Sequence, residues 1–383
     1  MNRSIWFAIV IAVALLAAVI WGPFLRQNGG DPKWKKEVYV AIVSSLTGDL
    51  AENGKDTSNG ASLAFDEANE TPHTKDRIIH YVMFDDQGDQ KAAVSVANRV
   101  CQDPRFIAVI GHLTSGCMSA AAPVYDRAGI PVVMPVPTNP KITQMGYTSL
   151  FRIPPTDNDQ APFLAKYLLS VDPGAPVAVV HDLTAYGLGF AEAFRDTFKQ
   201  NRGNIVAFDG ALKESRDFRT LIAKLKALNP KYILLGATYD MGAPFARQMK
   251  ELGLNATLVS GDGCYGSAFL EQAGDAAEGT IVSFIAPDQA SSQETTEFFR
   301  KYEAKYGKVV SFAPLGYDAG KVVVNAIGEA SQPTRAAVIN VLKRRDFVVN
   351  GVTGKIEFAD NGDNKNKNLV LYTVRQGKFT LFK

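Results

Sequence analysis

Four short stretches hold most of the side chains able to do chemistry. Gly111-His-Leu-Thr-Ser-Gly116 offers an imidazole and two hydroxyls, with the Cys117 thiol just beyond. Pro135-Val-Pro-Thr-Asn-Pro140 offers Thr138, and His181-Asp-Leu-Thr-Ala-Tyr-Gly187 offers Tyr186. Gly261-Asp-Gly-Cys-Tyr-Gly266 holds a single carboxylate, Asp262. A serine near a histidine suggests a nucleophile, but that chemistry needs a base within hydrogen-bond reach. Here the turn is not G-x-S-x-G, and His112 lies three residues before Ser115 at a strand end. Cys117 with His112 meets the same objection. His112 and His181 read better as structural, hydrogen-bonded histidines.

The anion-binding reading of the first stretch is stronger. It follows the apolar run Phe106-Ile-Ala-Val-Ile110 and opens a small-residue helix. A helix starting near Ser115 presents unpaired backbone N–H groups and a positive dipole end. Without lysine or arginine in the turn, a carboxylate suits it better than a polyphosphate. The competing reading makes Ser115 only an N-cap, and the turn alone does not choose between them. Gly261–Gly266 is a literal G-x-G-x-x-G, which raises a nucleotide-dependent oxidoreductase as a rival. Asp262 would face the pyrophosphate there, and the motif comes late rather than in the first βα unit. A strand-end carboxylate is better suited to a cation. Together the two turns suit a zwitterion, its carboxylate at Ser115 and its ammonium at Asp262.

These turns need a scaffold. Strand-like runs at Val38–Val43, Ile78–Phe84, Phe106–Ile110 and Pro131–Met134 alternate with helical patterns at 51–69, 90–100 and from about Ser115. The alternation repeats over 161–259, with strands at Val177–Val180, Ile205–Phe208, Tyr232–Leu235 and Leu258-Val259. Alternating short apolar strands and helices imply α/β architecture with parallel sheets covered on both faces. Two βα arrays in series are expected, and ligands of such sheets bind beyond the strands' carboxyl ends. The tail breaks the rhythm with short strands at Lys355–Phe358, Leu369–Val374 and Phe379–Phe382.

Bulk properties narrow the function. The chain has 383 residues, 46% hydrophobic and 21% charged, with a formal net charge of +2. Nothing in that balance, and no basic stripe interleaved with aromatics, points to nucleic acid. The cysteines Cys101, Cys117 and Cys264 show no C-x-x-C or histidine-rich spacing, so three free thiols and no metal or cofactor are expected. Residues 1–22 carry an uncharged apolar segment, Ile5–Trp21, read as a signal peptide or a retained membrane anchor. Residues 23–36 read as a linker. Arg26, Lys33, Lys35 and Lys36 outnumber the positive charges before the segment, against a simple positive-inside orientation.

Several stretches, taken in order, resemble one family. Ile110-Gly-His-Leu-Thr-Ser115, Thr138-Asn-Pro140 with Thr143-Gln144 and Gly146-Tyr147, His181-Asp182 with Tyr186-Gly187, and Ala273–Gly279 are similar to the periplasmic leucine/isoleucine/valine-binding proteins of ABC importers. The resemblance runs from about Val38 to the C-terminus. It implies a type I periplasmic-binding fold: two doubly wound parallel-sheet lobes joined by three crossovers, here preceded by an N-terminal hydrophobic helix. The crossovers fall near Phe151–Asn158, Ile281–Asp288 and Asn350–Gly354. Residues 37–152 plus 286–350 would form lobe 1, and 153–285 plus 351–383 lobe 2.

By resemblance, Ser115 and Thr138 hold the ligand carboxylate and Asp262 its ammonium. Tyr186 closes over the ligand, Leu113 and Thr114 line the first lobe, and the Pro137 carbonyl faces the ammonium. Tyr239 lies near a ligand-facing tyrosine of the family, with the register between Thr238 and Tyr239 open. Asn53 replaces a family aromatic, which makes the side-chain pocket more polar. The family's disulfide positions fall on Gln87 and Thr114, so that bridge is absent. The implied protein is a non-catalytic, monomeric, extracytoplasmic or periplasmic amino-acid capture component that docks on an ABC permease. A sensor of the same fold, binding an amide, urea or amino acid without transport, is the alternative.

Overall fold

The computed structural model describes residues 36–71 and 77–382; the apolar N-terminal segment and the linker up to residue 35 lie outside them, and Lys36, expected in the linker, begins the first strand. The first sheet is built from β1 (Lys36–Ser44), β2 (Arg77–Asp85), β3 (Phe106–Gly111), β4 (Val132–Met134) and β5 (Leu150–Arg152). Its order is β2-β1-β3-β4-β5, and β1, β3, β4 and β5 run parallel. Every residue of β3 is buried, as expected for a strand covered on both faces.

The second sheet contains β6 (Pro176–His181), β7 (Asn204–Gly210), β8 (Tyr232–Gly236), β9 (Thr257–Ser260) and β10 (Ile281–Phe284). A hairpin of β11 (Val349–Gly351) and β12 (Gly354–Ile356) precedes β13 (Val370–Arg375) and β14 (Lys378–Leu381). The sheet order is β14-β13-β10-β9-β8-β6-β7, with β13 and β14 antiparallel additions at one edge. Each sheet therefore reverses its winding direction once, between β1 and β3 and between β6 and β8. Crevices at such reversals are where open α/β sheets bind ligands.

The helices Gln293–Tyr306, Ala313–Glu329 and Arg335–Leu342 lie beyond the reach of the sequence alternation. They return the chain to the first lobe, where Ala313–Glu329 packs along Ala51–Glu70. Glycine permits this approach: a Cβ on Gly60 would sit 2.1 Å from the Ala313 carbonyl oxygen, and one on Gly316 2.0 Å from that of Thr57. Buried Asp56 ties the same helices together. It accepts from the backbone N–H groups of Val310, Ser311 and Ala313, at 3.0, 3.0 and 2.8 Å, and from the Tyr302 hydroxyl at 2.9 Å.

The chain passes from the first sheet to the second between β5 and the helix Asp157–Val171, and leaves again after β10. The third passage corrects the expected boundary at Asn350–Gly354. Asp318, on the first lobe's helix, accepts from Val352 N and Thr353 N, which holds the β11–β12 hairpin on that lobe. Asp363 still pairs with Arg152, and Asn364 Nδ2 donates to the Ile153 carbonyl. Only at Val370 does the chain enter the second sheet, so the crossing falls at residues 365–369. Among the described residues, no helix is long and apolar enough to cross a membrane.

Candidate functional site

Ser115 owes its position to Thr114. Thr114, not Ser115, is the N-cap of the helix Ser115–Arg127, its side chain accepting from Cys117 N at 3.2 Å. Ser115 is thus the first helical residue, where N–H groups have no intrahelical partner. Its Oγ accepts from Asn139 N at 3.3 Å, which joins this turn to the one after β4. His112 stands behind both. It is fully buried, with Nδ1 2.6 Å from Asp86 and Nε2 3.1 Å from the Tyr125 hydroxyl. Burial pushes the Asp86 carboxyl up, but the His112 contact and the Gly88 and Ser45 hydrogen bonds outweigh it and leave it below the usual range. This is the structural role expected of His112, and it occupies both ring nitrogens.

The turn after β4 is held from below by Arg152, which is wholly buried. Its Nη1 donates to the Pro137 carbonyl at 2.7 Å, its Nη2 to Thr143 Oγ1 at 2.9 Å, and its Nε to Asp363 at 2.9 Å. The Pro137 carbonyl, expected to face an ammonium, already has this donor and keeps one further lone pair. Thr138 is buried, and its own carbonyl accepts from Asp157 N at 2.9 Å.

On the facing sheet, Asp262 follows β9 and is fully buried. The Tyr186 hydroxyl donates to its Oδ1 at 3.2 Å and accepts from Gly263 N at 3.0 Å. The G-x-G spacing has a local cause. A Cβ on Gly261 would lie 2.8 Å from the Tyr186 hydroxyl, and one on Gly263 2.8 Å from Tyr186 Cε1. The glycines make room for a tyrosine ring that steadies Asp262. Burial pushes the Asp262 carboxyl up to about 6, against the pull of Gln160 and Tyr186.

Ser115, Thr138, Asp262, Tyr186, Leu113, Thr114, Pro137 and Asn53 all line one cleft of about 500 Å³. The volume falls within the usual range for small-molecule sites. Tyr239 does not line it. Helical rotation at the end of β8 points Thr238 and Asp240 into the cleft instead, and the Tyr239 hydroxyl donates to the Asp49 carbonyl of the first lobe at 2.6 Å. Asn139 Nδ2 donates to the Ala185 carbonyl, a second polar link between the lobes. Four lining carboxylates escaped sequence reasoning, Asp89, Glu214, Asp182 after β6 and Asp240 after β8. For the last two, a position just past a strand's carboxyl end was the available signal.

Cys117 and Cys264 are buried and Cys101 is half-buried, all free. Burial pushes the Cys117 and Cys264 thiols up to about 12, so the reactive thiolate is scarce at neutral pH. No group of three or more His, Cys, Asp or Glu side chains is placed to hold a metal ion among the described residues.

Comparison with known proteins identifies the scaffold. The model of a periplasmic binding protein family matches residues 37–378. The chain belongs to the periplasmic binding protein family. The Leu/Ile/Val-binding protein BraC3 of Rhizobium johnstonii is 30% identical over 369 residues, covering 96% of this chain and 97% of its own. The Leu/Ile/Val-binding protein of Escherichia coli is 34% identical over 248 residues, 65% of this chain and 67% of that one. Among solved structures, a leucine binding protein from Thermotoga maritima superposes with a TM-score of 0.84 at 26% identity, covering 90% of this chain and 98% of that one. The branched-chain amino acid transporter substrate binding protein LivJ from Streptococcus pneumoniae, in complex with isoleucine, gives 0.83 at 26% identity over the same shares. The fold is thus the two-lobed α/β architecture of this family.

One buried carboxylate near the cleft of this binding protein makes a stability prediction. Asp157 is wholly buried. Burial pushes its carboxyl up to about 8, against the pull of the Thr138 side chain and the Arg152 charge and with the charge of Asp262 adding to the rise. An unfolded aspartate titrates near 4. Between about pH 4 and pH 8 the folded state therefore keeps a proton the unfolded state has lost, and stability falls as pH rises through that window. Asp157→Asn removes this titration. Ligand-free Asp157→Asn should melt above the wild type at pH 9, with a smaller gap at pH 5. Melting curves that shift in parallel at both pH values would contradict the assignment.

Proposed function

We propose that this chain captures an α-amino acid in the cleft between its lobes and presents it to an ABC permease outside the cytoplasm. One observation carries the reading: Ser115 and Thr138 of one lobe and Asp262 of the other line a single cleft. The first wall offers hydroxyls and helix N-terminal N–H groups to a carboxylate. The second offers a buried carboxylate to an ammonium. The relatives named for leucine, isoleucine and valine binding support this ligand class.

The mechanism is capture without bond breaking. A charge-assisted hydrogen bond contributes about 1.5–3 kcal/mol. Several of them reach micromolar affinity, about −8 kcal/mol, after the cost of ordering the ligand and lobes is deducted. Because the two ends of the ligand meet different lobes, binding favours the closed arrangement over an open one. Tyr239 to Asp49 and Asn139 to Ala185 are polar contacts that closure would complete. The closed form is then the species for the permease to recognise.

The test is a thermal-shift screen of protein unfolded and refolded to strip any carried-over ligand, against α-amino acids, amides and urea. A ligand at a hundred times its Kd raises folded-state stability by about 2.7 kcal/mol. At least one α-amino acid should raise the melting temperature. A shift with urea or an amide and with none of the α-amino acids would replace this reading with that of a neutral-ligand sensor.

A further inference from the structure

The loop between β1 and the helix Ala51–Glu70 belongs to the first lobe and is fixed there. Asp85 accepts from Leu46 N at 2.9 Å, from Thr47 N at 3.3 Å and from Thr47 Oγ1 at 2.6 Å. Gly48 turns the chain with a φ of 83°. The far end of this loop touches the second lobe. The Tyr239 hydroxyl donates to the Asp49 carbonyl at 2.6 Å, and Arg216 Nη2 donates to Asp49 Oδ2 at 3.1 Å. Leu50, the next residue, packs against the apolar cores of both lobes. Tyr239 is 2% exposed, belongs to the second lobe's core and does not line the cleft. Two other polar contacts between the lobes sit differently. Asn139 reaches Ala185 from the turn whose N–H also meets Ser115 Oγ, so it is part of the wall proposed for the ligand carboxylate. Ser311 Oγ donates to the Tyr265 carbonyl at 3.0 Å, and the Tyr265 ring stacks on Phe284, where the chain crosses between lobes. A contact beside a crossover moves little when the lobes part.

We propose that Tyr239 is a positioning residue for capture: by clasping the Asp49 carbonyl it holds the lobes together, and so sets how long a bound amino acid stays without touching it. This rests on the capture reading above. When the lobes part, the hydroxyl and the carbonyl each turn to water. The net effect is that of one neutral hydrogen bond, about three- to tenfold in the closing equilibrium. Leu50 adds to it, because parting the lobes withdraws its side chain from the second lobe's core. The ion pair contributes less. Arg216 and Asp49 are exposed, at 50% and 65%, and such pairs are screened by water and salt. Both halves of the clasp are held before they meet, the loop by Asp85 and the ring by its core. Little freedom is therefore lost when the bond forms. The amino acid leaves from the open form, so a weaker clasp speeds release and does not slow entry.

Stopped-flow kinetics test this on the full chain carrying a donor and an acceptor dye, one on an exposed side chain of each lobe. The probe is whichever of the common protein α-amino acids binds the wild type most tightly. Dye-free wild-type protein in excess traps what is released. Tyr239→Phe keeps the ring in its core and removes only the hydroxyl. It should release the amino acid about three- to tenfold faster, with association unchanged or faster. Asp49→Ala keeps the backbone carbonyl and should change release about twofold or less. Release from Tyr239→Phe at or below the wild-type rate overturns the inference and leaves the amino-acid reading intact. So does slower association, which would make Tyr239 a ligand contact. A larger effect of Asp49→Ala than of Tyr239→Phe also overturns it, because the ion pair would then hold the lobes. Binding of no α-amino acid by the wild type overturns the amino-acid reading itself, and the inference with it.

Discussion

Asp262→Asn is expected to weaken α-amino acid binding about tenfold or more while leaving the fold intact, measured by calorimetric titration. The substitution keeps the shape of the side chain and its place against Tyr186. It removes the negative charge that a ligand ammonium would meet in a site with little water. At Asp262 Oδ1 the Tyr186 hydroxyl is a donor, and the carboxamide oxygen can still accept from it. The loss therefore reports the charge rather than a collapsed turn. The pH dependence of the wild type should report the same group. Burial sets the free carboxyl at about 6, so it is ionised above that value and neutral below it. Affinity should hold from pH 8 to 7 and fall as pH drops below about 6. In Asp262→Asn that fall should disappear. Equal affinities for variant and wild type at pH 7 would take Asp262 out of the site.

Arg152→Met should cost the protein about 3 kcal/mol or more of stability and weaken ligand binding as well. The guanidinium is buried and serves three acceptors from three parts of the chain: the Pro137 carbonyl, Thr143 Oγ1 and Asp363. Methionine fills similar volume but donates to none of them. Asp363 is part-exposed and keeps Thr143 and Asn361 as donors, so the cost falls on the buried Pro137 carbonyl, which loses its guanidinium donor, and on the three-way link between these segments. The Pro137 carbonyl precedes Thr138, so the turn that would hold a ligand carboxylate loses its support. Denaturant midpoints and calorimetry on the same sample separate the two effects. A variant as stable as the wild type would show that the Arg152 contacts do not hold this turn.

Much of this was written plainly in the chain. Apolar runs such as Phe106–Ile110 and Val177–Val180 became buried parallel strands, because only strands covered on both faces have reason to be continuously apolar. The strand-end turns carrying Ser115, Thr138 and Asp262 met in one cleft, as the winding reversals of both sheets require. Finer placements depended on angles that residue types do not encode. At the end of β8, one helical step separates Thr238 and Asp240, which face the cleft, from Tyr239, which reaches Asp49. At the end of β3, the cap fell on Thr114 rather than Ser115. The third crossing was hidden because residues 360–368 are polar and without period. Their place is set by long-range bonds to Arg152 and Ile153 that no local pattern announces. The roles of Gly261 and Gly263 were likewise invisible, since the ring they accommodate lies some 75 residues earlier, at Tyr186.

The central claim is that a single dipolar molecule spans the cleft with both of its ends in use. The most direct measurement titrates the stripped protein with its tightest α-amino acid and with two analogues of the same side chain. One analogue has hydroxyl in place of the α-ammonium; the other has a carboxamide in place of the carboxylate. The account predicts that each analogue binds about tenfold or more weakly than the parent. Either analogue binding as tightly as the amino acid itself would contradict it.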